Sequence, residues 1–99
     1  MAYTDDPVLR LLPEPPASFL VLPDEEQRWR GRLFIAMYGA GYPIDYAWWF
    51  VLWTNNAEWE AWAKDFVSQI PDDPREYAAM IQGRQRFDAE LARQAQRPQ

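Results

Sequence analysis

The sequence has 99 residues and a mass of 11.7 kDa, enough for one domain with one core. It contains neither Cys nor His, which excludes disulfides, thiolate or imidazole catalysis, and metal sites built on those ligands. The net charge is -5, with four basic against seven acidic residues in 1–50 and six against eight in 51–99, so neither half is the basic arm of a nucleic-acid binder.

The N-terminus is acidic and polar and lacks the basic start and apolar run of a secretory signal, which predicts a cytoplasmic protein. Residues 1–23 hold Pro7, Pro13, Pro15, Pro16 and Pro23, so this stretch reads as an extended Pro-rich arm with at most one helical turn, Pro7 to Leu12. Its Pro13-Glu14-Pro15-Pro16 has PxxP spacing but reads more simply as a stiff strap. Phe19 to Leu22 are apolar enough to dock the arm or to form one short strand.

A helical domain is expected over 24–92. Its first helix spans 25–38, with Asp24 and Gln27 at capping-box spacing and Trp29, Leu33, Ala36 and Met37 as the inward stripe. Arg28, Arg30 and Arg32 spread over the other faces, and Gly39 and Gly41 end the helix. Residues 43–53 fit either period, apolar all round as a helix and on both faces as a strand. Helical neighbours and the lack of a pairing strand favour a helix over 44–54, which becomes the central element. A third helix over 56–70, capped by Asn55, carries the cleanest stripe: Trp59, Trp62, Ala63, Phe66, Val67 and Ile70. The last helix, 74–92, opens on Asp73-Pro74, presents Tyr77, Met80, Ile81, Phe87 and Leu91, and is expected to kink or fray near Gly83. Residues 93–99 read as a disordered polar tail. The fold class is therefore mainly α, a small single-domain bundle of about four helices with a Pro-rich arm. Trp29, Leu33, Met37, Trp59, Trp62, Phe66, Ile70, Tyr77 and Ile81 form its predicted core.

Leu33 to Trp53 carries one charge and follows three arginines, as a membrane span would. The run Gly39-Ala40-Gly41-Tyr42-Pro43 breaks it and Asp45 would sit near the bilayer centre, so the reading is against a span.

Chemistry-bearing patterns are sparse. Asp72-Asp73 and Asp24-Glu25-Glu26 lie where helix starts recruit acids, and Lys64 stands four residues after Glu60 as an ordinary helix pair. Gly39-Ala40-Gly41 lacks the third glycine and the GK[ST] of a phosphate loop. Trp29 among three arginines could stack on nucleic acid, but three acids precede them and the overall balance is acidic. No catalytic, metal or cofactor site is expected. What stands out is six Trp, five Tyr and five Phe, with Trp48, Trp49, Trp53, Trp59 and Trp62 within fifteen residues. Adjacent Trp48 and Trp49 point about 100° apart on a helix, so one small core cannot take both. The sequence therefore predicts a non-enzymatic, stoichiometric protein-binding module anchored by Trp48 and Trp49, with Tyr46, Trp53, Tyr42 and Asp45 around them. An accessory protein of a phage or mobile element that inhibits or adapts a host protein is the expected setting. The alternatives are a structural homo-oligomer and a small tail-assembly or chaperone component.

Overall fold

The second helix, α2, organises the structure. A computed structural model describes residues 5–53 and 55–96, and among them lie a 3-10 turn at Leu9–Leu11 and five α-helices, with no strand. The helices are α1 (Ala17–Leu20), α2 (Asp24–Gly39), α3 (Ile44–Trp53), α4 (Ala57–Ser68) and α5 (Pro74–Ala95). The mainly helical class is as the sequence predicts, and residues 44–53 are helix. The 3-10 turn, α3, α4 and α5 all pack on α2, which buries Trp29, Arg30, Gly31, Arg32, Leu33, Phe34, Ile35 and Tyr38. The central element is thus α2, whereas α3 leaves an outer face in solvent.

Local chemistry explains the boundaries. Asp24, expected as a cap, is the first residue of α2 after Pro23, and with Glu25 and Glu26 it places negative charge at the positive end of the helix dipole. Gln27 turns instead to α1, where its Nε2 donates to the carbonyls of Phe19 (3.3 Å) and Leu20 (3.0 Å). At the other end Gly41 has φ +111°, its N–H donates to Tyr38 O and the N–H of Tyr42 reaches Met37 O, a Schellman closure that an L side chain at 41 would strain. The cap of α4 is Asn56, one residue beyond the expected Asn55, with Oδ1 accepting from the N–H groups of Glu58 and Trp59. Asp73 caps α5 as predicted, accepting from Arg75 N–H, with Pro74 in the first turn. Gly83 produces no break. The helix is continuous to Ala95, so Arg93 to Ala95 are helical rather than a tail, while residues 97–99 lie outside the described residues. At about 1.5 Å per residue α5 outruns the rest of the domain, and the molecule measures 50 × 27 × 26 Å.

Residues 5–23 are not an extended strap; residues 1–4, the start of the expected arm, lie outside the described residues. The prolines punctuate two short helical turns, and Val8, Leu9, Leu12 and Phe19 belong to the core. They close on α2 at Gly31, where an added Cβ would stand 2.5 Å from Leu9 Cδ2 and 3.5 Å from Leu12 and Phe19. A bare backbone there admits three large side chains. Next to them Phe34 stacks on Trp48 with centroids 3.9 Å apart, and Phe19 lies 5.1 Å from the same indole.

Of the predicted core, Trp29, Leu33, Tyr77 and Ile81 are buried and Met37, Trp59 and Ile70 half-buried. Trp62 and Phe66 are not core, being 54% and 39% exposed. The residue that α4 aims inward is Ala63; at 100° per residue Phe66 points about 60° and Trp62 about 100° to one side of it.

Three arginines hold the elements together. Arg30, buried, donates from Nη1 to Val51 O near the C-terminus of α3 and from Nη2 to Glu26 at 3.3 Å, with its guanidinium over the Trp29 ring. Arg84 donates from Nη1 to the carbonyls of Tyr38 and Tyr42 at 2.6 Å each, placing a cation at the negative end of α2, and pairs with Asp88 at 2.8 Å. Arg32 bridges Asp6 (2.8 Å) and Asp72 (2.9 Å) with its own side chain 5% exposed. Burial works to raise the Asp6 carboxyl, but hydrogen bonds from Arg32 and the Val8 N–H, and the charges of Arg32 and Arg28, outweigh it and hold the group below its ordinary value of 3.8. A carboxyl held low in the folded state stabilises above its unfolded value, and that contribution is lost as pH falls below ~4 toward the lowered one. Asp6→Asn is expected to cost about 2–3 kcal/mol in urea denaturation at pH 7, because a buried guanidinium loses one of its two carboxylates. The deficit relative to the parent should shrink at pH 3; a constant deficit would show that the charge is immaterial.

Candidate protein-docking site

Four exposed aromatics, Tyr42, Tyr46, Trp62 and Phe66, converge on a groove of about 240 Å³ between α2, α3 and α4. Its floor is one side of the C-terminal half of α2 and the residue after it: the buried Leu33, the half-buried Ala36 and Met37, and Ala40. One wall is Tyr42, Tyr46 and Phe50, four residues apart on the turn into α3 and on α3 itself, with Tyr42 stacked on Tyr46 at 5.8 Å and Tyr46 6.1 Å from Phe50. The other is Trp62 and Phe66, one turn apart on α4 and stacked at 5.6 Å. The half-buried Trp59 joins the walls at the back, 5.2 Å from Phe50 and 6.4 Å from Trp62.

Of the predicted interface residues, Tyr42 and Tyr46 line this groove. Trp49, 56% exposed, stands on its outer shoulder with its ring 5.9 Å from Tyr46, Trp53 is exposed at the end of α3, and Asp45 is exposed in the first turn. Trp48 is a core residue at 7% exposure, its Nε1 donating to Pro13 O, so of the adjacent pair the core takes Trp48 and leaves Trp49 outside. Sequence reasoning missed Phe50, Trp62 and Phe66 as site residues. The signal available was the width of the α4 stripe, which spans about 140° from Trp62 to Val67, more than a helix resting on one neighbour can cover.

Two hollows of about 550 Å³ each flank Arg28 and Arg32, and both arginines are engaged by carboxylates. Arg28 pairs with Asp72 at 2.7 Å and Asp6 at 3.6 Å, and Arg32 with the same two carboxylates. Buried Tyr77 has no hydrogen-bond partner for its hydroxyl among the described residues, and burial pushes its pKa up against the pull of Arg32. Tyr77→Phe is therefore expected to leave thermal stability unchanged or raise it by up to about 1 kcal/mol; a loss of that size would show the hydroxyl to be engaged.

No helix among the described residues is long and apolar enough to cross a membrane. Compared with known protein families, curated proteins and solved structures, the chain matches none.

Proposed function

We propose that this chain is a non-enzymatic, stoichiometric docking module that receives an apolar segment of another protein in the α2–α3–α4 groove. The observation that supports it is continuity: six aromatic rings from Tyr42 to Phe66 form an unbroken series of contacts around a floor of small and flexible side chains, and most remain accessible. Rigid aromatics beside an apolar floor are what interface anchors are made of, and Met37 lets the floor adapt. The biological setting that fits a small acidic domain of this kind is an accessory protein of a phage or mobile element that inhibits or adapts a host protein. No cofactor is needed for such a role.

Trp62→Ala is expected to lower partner affinity by ~2 kcal/mol or more while costing under ~1.5 kcal/mol of stability, because its ring is already half in solvent. Affinity capture with parent and variant, each shown to be folded by its cooperative melt, checks this. A partner retained equally by Trp62→Ala, Phe66→Ala and Tyr46→Ala would remove the groove from the function. A second reading, a homo-oligomer, is favoured by the exposed Phe87 and Leu91 of α5.

A further inference from the structure

The geometry points to one occupant of the groove: the projecting end of α5 from a second copy of this chain, in a reciprocal pair in which each copy gives a helix and receives one. This rests on the groove being a docking site and develops the homo-oligomer reading of it, the docked segment coming from a second copy of the chain.

Phe87 and Leu91 are four residues apart and so share a face of α5, yet they are 57% and 49% exposed. A short apolar ridge on a helix matches the shape of an aromatic-walled groove. Charge matches as well. Beyond the pinned Arg84, residues 85–99 hold Arg86, Arg93 and Arg97 against Asp88 and Glu90, so this end carries +1 while residues 1–84 carry -6. Exposed acids stand on the helices that wall the groove, Asp45 one turn before Trp49 on α3 and Glu58 one turn before Trp62 on α4. A basic helix end would meet an acidic rim.

Tyr42 places both surfaces at one end of the molecule. Its ring closes the groove against Tyr46, and its carbonyl accepts from Arg84, the residue at which α5 leaves α2. Because α5 is unbroken to Ala95 and pinned at Arg84, its last three turns cannot fold back into their own groove. They can enter that of a copy facing them, and two-fold pairing then fills both grooves at once.

The test is sedimentation velocity on the full-length chain over a range of concentrations, with two kinds of variant. Phe87→Asp/Leu91→Asp disarms the helix and Trp62→Ala the groove, and each is first checked for an unchanged helical spectrum. The parent is expected to dimerise, with a dissociation constant that rises with salt. Each variant should weaken dimerisation by ~10-fold or more. A mixture of the two variants should form heterodimers more readily than either forms homodimers, because one intact helix then meets one intact groove. A parent that stays monomeric up to ~1 mM, a dimer that neither variant weakens, or a mixture that gains nothing overturns the pairing. The groove itself fails separately, if Trp62→Ala also leaves capture of a foreign partner unaltered.

Discussion

Trp48→Ala is expected to cost about 3–5 kcal/mol of stability, and Trp49→Ala less than about 1 kcal/mol. The two residues are neighbours of identical chemistry, so the difference isolates position. Trp48 is stacked on Phe34, tilted against Phe19 and hydrogen-bonded to Pro13 O; its loss opens a cavity at the meeting point of three segments. Among the described residues Trp49 has one ring contact, with Tyr46, and more than half its surface is in water. For a domain of this size 1 kcal/mol moves the melting temperature by roughly 4–8 °C, so thermal denaturation followed by circular dichroism separates the variants by about eight degrees or more. Similar losses at both sites would mean that α3 is rotated from the orientation described.

Deleting residues 1–22 is expected to abolish cooperative folding. The deletion removes Val8, Leu9, Leu12 and Phe19, all buried, and uncovers Gly31 and Trp48. Truncating Leu9 to Ala alone should cost about 2–5 kcal/mol and Phe19 about 3–5 kcal/mol, and together these reach the whole stability of a typical domain. Gly31→Ala probes the same contact from the other side: its methyl group would displace Leu9, at a cost of about 1–3 kcal/mol. A fragment of residues 23–99 with a melting transition close to that of the full chain would show that the N-terminal turns merely rest on a finished core.

Helix positions were legible because their signals are local. Asp73-Pro74 marks a start within four residues, and the α4 periodicity needs only its own stretch of chain. The centrality of α2 was not, because Arg30 and Arg32 look like solvent-facing residues until their partners are known, and Val51, Asp6 and Asp72 lie 21, 26 and 40 residues away. Trp48 and Trp49 show an intermediate case. Helical geometry required one to face outward, but the choice depends on how α3 is rotated against Phe34, which no pattern within α3 encodes. The groove was half legible for the same reason: Tyr42 and Tyr46 belong to the segment the sequence singled out, whereas Trp62 and Phe66 have the spacing of core residues and were read as such. Proline misled at the N-terminus, since it sets φ without deciding whether the residues between prolines turn or extend.

The burial of Val8, Leu9 and Leu12 bears on how the chain acquires its shape during synthesis. The 3-10 turn at Leu9–Leu11 packs on α2 and also on α5, and Arg32 joins Asp6 to Asp72. The segment that includes Val8, Leu9 and Leu12 is therefore translated well before the surfaces that complete its surroundings. At about 5–20 residues per second it stays uncovered for several seconds on the ribosome. Local helices such as α4 can flicker in that interval, but closure must await α5, which makes folding a late, concerted event and leaves the nascent chain a substrate for holding chaperones.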